Sequence, residues 1–453
     1  MSSATDLRVP GLRGRAITRA DPEYDRARAT FYGGIDHRPD LIVCAADAAD
    51  VATVVNFART HGVDLAIRSG GHSPVGLSVS DGGITLDLKE VRDLEIDVAA
   101  KTAWVGPGLT SGEMVTATSA HGLGVGFGDT GSVGIGGITN GGGIGYLVRK
   151  HGLTIDSLLA AEIVTADGAL RRVDAAREPD LFWAIRGGGG NAGIVTRLQF
   201  RLHDTSEMLG GFIALPATAD AIAAFVALAA AAPEELSTIA NVMPAPPMPF
   251  LPEAVHGTLV NLAMLVYTGD TDAGLRAIAP FRKIAAPLVD MLKPMTFPDV
   301  YPPEDPSYHP IASGRTLFVD AIDRRSVETI VATLTARMPA FCVAQIRVLG
   351  GALARVPNDA TAFAHRQRHA MISVATLYED QAEAPTHEAW VDRFAAQLRR
   401  GPDGAYVGFL TADGPQRIHA AYPGQTWERL ARIKKTYDPG NLFHLNQNVP
   451  PAS

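Results

Sequence analysis

GFGDTGSVGIGGITNGGGIGYL, residues Gly126 to Leu147, reads as a glycine loop running between strands. Glycines lack a Cβ, so their backbone N–H groups can close around a bulky anionic ligand. Two shorter stretches repeat the device: IRSGGHS, Ile67 to Ser73, and RGGGGNAGIVT, Arg186 to Thr196. Of the 46 glycines in 453 residues, 21 lie between Gly62 and Gly145. Tight turns and bulges in a β-rich domain would draw on the same residues. Three such loops, each beside a strand in the first half of the chain, point instead to a diphosphate-bearing cofactor. No GxxxxGK(S/T) is present, which argues against nucleotide hydrolysis. GxGxxG matches occur, but none sits on the first strand-to-helix turn with an acidic residue on the following strand. A Rossmann site fails on that context.

Working outward, LIVC at Leu41 to Cys44 reads as a buried strand. Asp50 to His61 places Val51, Val54, Val55 and Ala58 at helical spacing, with Gly62 as C-cap. Leu65 to Arg68 and Ile84 to Leu88 read as strands, giving a strand–helix–strand start. A second block has a strand at Thr102 to Val105 and a helix at Ser111 to Ala120. It adds a hairpin, Ala161 to Thr165 with Arg171 to Val173, on an Asp167–Gly168 turn, and closes with Ile194 to Leu202. Beyond His203, helices over Asp272 to Arg282, Ser326 to Arg337 and His387 to Arg399 alternate with strands such as Leu259 to Tyr267 and Val343 to Val348. The Pro-rich segments Met243 to Pro252 and Tyr301 to Pro310 read as ordered surface loops. This is an α+β pattern, with a shift in composition after His203.

A hydrophobic fraction of 46% with a formal charge of −8 excludes a disordered chain and argues against nucleic acid or an anionic membrane as partner. No apolar run reaches the ~18 residues of a membrane span. With only Cys44 and Cys342 and a polar N-terminus, the simplest expectation is a cytoplasmic protein with reduced thiols. No CxxC or carboxylate cluster suggests a metal. Trp104, Trp183 and Trp427 read as core. His72 stands out, because it lies inside a Gly–Gly–His–Ser turn within the first cradle.

Four stretches in this order carry a resemblance: RSGGHS, VGIGGITNGGGIGYLVRKHGL, LFWAIRGGGGNAGIVT and ERLARIKKTYDPGNLFHLNQNV. Together they make the chain similar to the vanillyl-alcohol-oxidase-type flavoproteins with a PCMH-type FAD-binding domain, and among them the berberine-bridge-enzyme-like oxidases. The resemblance covers nearly the whole chain and implies an FAD-binding domain over residues 1–205, a substrate domain over 206–404 with an antiparallel sheet backed by helices, and a segment over 405–453 that returns to the first. It implies FAD as cofactor, with His72 matching the histidine that bonds to the flavin 8-methyl carbon. It places the cofactor against Arg68, Ser69, Gly70, Gly71 and Ser73, and along Gly136, Gly137, Asn140, Gly141, Gly142 and Gly145. Ile194 and Val195, and the C-terminal Asn446 and Asn448, complete the contacts it implies.

The departures are informative. Thr130 stands where many relatives carry a second attachment cysteine, so the resemblance implies a single histidyl link. Val133 occupies the position that controls oxygen access in plant relatives, and valine there goes with oxidase behaviour. Ile144 and Phe409 fall where alcohol-oxidising members place tyrosine bases, and neither can accept a proton. The chain is thus similar in type to the hydroxynicotine oxidases, whose amine substrates need no strong enzymic base. In the Val343 to Val348 strand, alternation puts Gln345 and Arg347 on one face, toward the flavin, as candidate catalytic residues. Tyr378 and His369 are further polar candidates, Tyr146 is a weaker one, and His365–Arg366 reads as structural. The expectation is an oxidase of a C–N or C–OH centre in a small cyclic or secondary-metabolite substrate, with O2 reduced to H2O2. A flavin dehydrogenase that ignores oxygen and a drug-sequestering flavoprotein are the alternatives. Oligomeric state is not encoded legibly.

Overall fold

The computed structural model describes residues 7–301, 303–336, 341–411 and 414–453. Strands Leu41–Cys44, Ile84–Asp87 and Leu65–Arg68 form a parallel sheet in that order, with Arg15–Thr18 antiparallel on the first edge. The strand–helix–strand start is therefore present, but Ile84–Asp87 lies between its two strands. The helix Ala48–His61 is capped by Asp47, whose carboxylate accepts from the N–H groups of Ala49 and Asp50, and by Gly62 at φ +63°. It buries Val51, Val54, Val55 and Ala58.

A second, antiparallel sheet orders Leu94–Asp97, Thr102–Val105, Ile194–Arg201, Leu158–Val164 and Leu170–Asp174. The helix Ser111–Ser119 packs beside it behind a Thr110/Glu113 capping box. Trp104, expected in the core, is half-buried between the guanidinium groups of Arg172 and Arg197, 5.0 and 5.3 Å from its ring centre. Trp183 is buried, and Trp427 is partly buried and stacks on His419.

The third sheet is eight-stranded and antiparallel, with Met208–Pro216, Leu259–Thr268, Leu236–Pro244, Phe341–Val348, Ala370–Tyr378 and Ile311–Val319 in that order. Helices Ala219–Ala231, Arg324–Thr335 and Ala384–Leu398 cover one face, against Cys342, Ala344, Ile346, Val348, Ile372 and Val374. The period-2 alternation leaves Val343, Gln345, Arg347, Ser373 and Ala375 on the other face. That face turns toward the glycine loops.

Three element readings change. The helix expected over Asp272 to Arg282 stops at Ile278, because Pro280 has no N–H to continue it, and a short 3-10 turn follows. YVGFL, which holds Phe409, is a 3-10 turn at Val407–Phe409 and not the strand that the resemblance implies there. The glycine run encloses a short helix, Ile135–Gly141. Arg337, the expected end of one helix, lies outside the described residues. Among the described residues no helix is long and apolar enough to cross a membrane, and no cluster suits a metal. Cys44 and Cys342 are free thiols buried in separate cores, the latter pushed up to about 11 by burial.

Candidate active site

All three glycine loops converge on one cavity of about 530 Å³. Its walls come from residues 69–74, 128–144 and 189–195, the exposed-side face of the third sheet, the 406–411 turn and the C-terminal 443–447 segment. The first two loops touch backbone to backbone. A Cβ on Gly70 would lie 2.2 Å from the Gly134 nitrogen, so only glycine allows this approach. Ser69 Oγ donates to the Pro107 carbonyl at 2.6 Å and fixes the same junction.

His72 lines this cavity. Its ring stacks on Phe31, with centroids 4.2 Å apart, and its Nε2 lies 3.0 Å from Ser132 Oγ. Ser132 Oγ in turn hydrogen-bonds Glu304 Oε2. The Glu304 Oε1 atom accepts the Gly131 and Ser132 N–H groups at 2.8 and 3.1 Å. Burial lowers the His72 pKa to about 4 against the opposing pull of Glu304, so the imidazole is neutral at neutral pH. Arg68 lies behind the loop rather than on the cavity wall, in a buried ion pair with Asp87 at 2.5 Å.

Arg347, only 3% exposed, is fully engaged. Its Nη2 donates to Asp129 Oδ2 at 2.6 Å and to Gln345 Oε1 at 2.8 Å, its Nη1 to the Ile144 carbonyl at 2.8 Å, and its Nε to Gln345 at 3.0 Å. Gln345 passes the chain on, donating from Nε2 to Asn241 at 2.9 Å. The phenols of Tyr32 and Tyr146 are raised by burial and by the Asp129 charge. Tyr406 is pushed up to about 12 by burial and accepts the Gly143 N–H at 3.0 Å, so its own O–H is free to donate into the cavity.

The expected site residues divide accordingly. His72, Ser69, Gly70, Gly71, Ser73, Thr130, Val133, Gly136, Gly137, Asn140, Gly141, Ile194, Val195, Asn446, Gln345 and Arg347 share the cavity wall. Arg68, Gly142, Gly145, Asn448 and Tyr378 lie off it. Gly145 is a packing position, since a Cβ there would sit 1.9 Å from the Phe127 carbonyl oxygen. Asn448 accepts from buried Lys434 Nζ at 2.8 Å and anchors the tail instead. Tyr378 stacks on His387, and its hydroxyl hydrogen-bonds Ser313 Oγ at 3.1 Å. Its place among the candidates is not supported by this position. His369 is exposed, Tyr146 is buried away from the wall, and Arg366 is a buried partner of Asp156.

Asp129, Ser132 and Tyr406 lie inside or beside stretches singled out in the sequence, yet their roles depend on partners more than a hundred residues away. Glu304 had no signal beyond an acidic residue in a Pro-rich loop.

The cavity fits FAD on its own chemistry. A Cβ on Gly137 or Gly190 would meet nothing within 4 Å, so bare backbone faces the cavity there. Among the described residues Asn446 Oδ1 is buried without a partner, while its Nδ2 donates to the Gly190 carbonyl at 3.3 Å. Residues 39–174 match the family described as FAD binding domain, and residues 405–450 match the family described as berberine and berberine like. An uncharacterized FAD-linked oxidoreductase, YgaK, of Bacillus subtilis (strain 168) is 29% identical over 97% of both chains. (R)-6-hydroxynicotine oxidase of Paenarthrobacter nicotinovorans is 28% identical over 97% of both. Among solved structures, 6-hydroxy-D-nicotine oxidase from Arthrobacter nicotinovorans superposes with a TM-score of 0.86, at 25% identity, covering 98% of this chain and 100% of that one. The berberine-bridge-like protein 1 of Physcomitrella patens, 24% identical over 97% of both chains, shares the fold at a TM-score of 0.87. The glycine-lined cavity thus lies in a chain that carries an FAD binding domain and a berberine-like C-terminal segment, and that is similar over nearly its whole length to FAD-linked oxidoreductases.

Proposed function

We propose that this oxidoreductase is an oxidase holding FAD through a single covalent bond to His72, and that it oxidises a C–N or C–OH centre of a small cyclic or secondary-metabolite substrate. The observation that carries the reading is the neutral His72 imidazole on the wall of the glycine cradle, with Thr130 in place of a thiol and Cys44 and Cys342 buried elsewhere. FAD held by His72 and the three glycine loops would supply a two-electron acceptor for the substrate and a route for those electrons to O2.

The residues of this chain set the rest. Asp129 neutralises Arg347, so the wall presents an internally balanced ion pair that favours a substrate without a strong charge of its own. Tyr406 offers a hydroxyl donor, and Gln345, held between Arg347 and Asn241, offers a fixed amide. Ile144 and Phe409 also line the cavity and carry no acid–base group. Of the two bond types this supports the C–N centre, since an amine lone pair assists hydride loss where an alcohol needs a base. The similarity to (R)-6-hydroxynicotine oxidase over nearly the full length of both chains points the same way.

The test begins with the purified yellow protein. Acid precipitation should leave the colour in the pellet, and a His72 peptide should carry the flavin mass. Incubation in air with (R)-6-hydroxynicotine and a panel of cyclic amines and alcohols should give H2O2 in step with substrate lost. Flavin bleaching without H2O2 would instead make the protein a dehydrogenase. Stoichiometric binding without turnover would make it a sequestering protein.

A further inference from the structure

We propose that Glu304 and Ser132 form a relay that sets the tautomer of His72 and removes its proton as the flavin bond forms. The inference rests on the covalent reading above. It assigns positioning residues to the attachment step, one of them on the Pro-rich segment that precedes the Ile311–Val319 strand.

The hydrogen-bond directions follow from what each group can do. An ionised carboxylate only accepts, so the Ser132 hydroxyl must donate to Glu304. The Gly131 and Ser132 N–H groups also donate to Glu304 and hold its carboxylate against the loop. With its one proton directed at Glu304, Ser132 Oγ can only accept from His72 Nε2, 3.0 Å away. His72 therefore carries its proton on Nε2 and leaves the Nδ1 lone pair bare. Burial keeps the ring neutral and hence nucleophilic. Phe31, stacked at 4.2 Å, blocks one ring face and holds the plane. The arrangement is a carboxylate, a hydroxyl and an imidazole in series, in which the first group orients the second and the second the third.

The attachment step balances around this relay. A C–N bond forms between His72 Nδ1 and the flavin 8-methyl carbon, and one C–H bond of that methyl breaks. Alkylation at Nδ1 makes the imidazole cationic, so its Nε2 proton becomes acidic and passes through Ser132 to Glu304. The electron pair stays on the flavin ring, from which O2 removes it, and with the two protons released this gives H2O2. Neither Glu304 nor Ser132 need touch the cofactor.

The experiment compares wild type with Ser132→Ala, Glu304→Gln, Glu304→Asp and His72→Ala, each purified with its bound FAD. Total FAD per chain is measured after unfolding. The acid-stable fraction is followed over time in air by flavin fluorescence of the denatured chain and by the mass of the His72 peptide. Wild type should carry acid-stable flavin throughout. Ser132→Ala and Glu304→Gln should bind FAD near one per chain but attach it at least about a hundredfold more slowly. Glu304→Asp, which keeps the acceptor, should restore most of the rate. Attachment at the wild-type rate in both Ser132→Ala and Glu304→Gln overturns the relay. Should Glu304→Gln lose FAD altogether, Ser132→Ala decides, because it keeps both backbone N–H bonds to Glu304. A wild-type protein whose FAD is wholly released by acid overturns the covalent reading itself, an outcome separate from the other two.

Discussion

Arg347 and Asp129 show what a single buried pair requires. The guanidinium is 4% exposed and the carboxylate 22%, so each has left much of its hydration behind and depends on the other. Removing only Asp129 strands a charge that Gln345 and a carbonyl cannot neutralise. Asp129→Ala is expected to destabilise the protein by about 3 kcal/mol or more, whereas Asp129→Ala combined with Arg347→Met should recover a large part of that loss. Urea unfolding of the four proteins of the cycle measures the coupling, and strictly additive effects would refute it. Arg347 was legible in sequence as one face of an alternating strand. Its counter-ion was not, because a separation of 218 residues carries no periodicity to read. The same is true of Glu304, which reaches His72 only through the folded loop around Ser132.

At the scale of elements, the glycine stretches were legible as cradles, but their internal structure was not. IGGITNG has poor helix propensity, and Ile135–Gly141 is helical because its surroundings impose it. Its entry is fixed by the Ile135 N–H donating to Leu109 and by the close approach of Gly70 to Gly134. The glycines in it consequently have different duties. Gly134 cannot accept a Cβ, since Ser69 Oγ and the Gly70 nitrogen would each be 2.2 Å away. Gly137 has open space on the cavity side. Gly137→Ala should therefore fold normally and gain roughly 0.5–1 kcal/mol from the helix preference of alanine. Gly137→Leu should also fold, yet emerge colourless or flavin-poor because its side chain fills the cofactor's place. Gly134→Ala should lose both stability and flavin. Thermal melts read alongside the flavin-to-protein absorbance ratio separate the three. Equal flavin content in wild type and Gly137→Leu would remove this wall from the cofactor site.

Over the whole molecule, the β–α–β start, the antiparallel substrate-side sheet and the returning tail were legible because each rests on a local pattern. The seams between them were not, and four histidines lie there, His365 buried and the other three partly buried. His72 is held to about 4 by burial, although Glu304 opposes this. His151 and His203 stack 3.8 Å apart, held to about 3 and about 4 by burial, then by each other's neighbourhood of Lys150 and Arg201. His365, stacked on Phe318, is held to about 4 by burial and Arg368, against the pull of Asp403. In each case the folded pKa lies below the 6.5 of the free group, so the unfolded chain binds more protons between pH 6.5 and about 4. Stability is then complete above pH 6.5 and falls as pH drops through that window. A shift of two units corresponds to roughly 3 kcal/mol per independent site, with the stacked pair acting as one coupled site. Carboxylates released from their partners act only from about pH 4.5 downward, so a decline that begins near pH 6.5 belongs to the histidines. If His72 is alkylated by flavin it no longer titrates as a free imidazole, and His72→Ala should leave the holoenzyme profile governed by the other three. Urea midpoints measured from pH 8 to 4.5 test this: a flat profile down to pH 5 would contradict it, and His365→Gln should flatten the part that His365 carries.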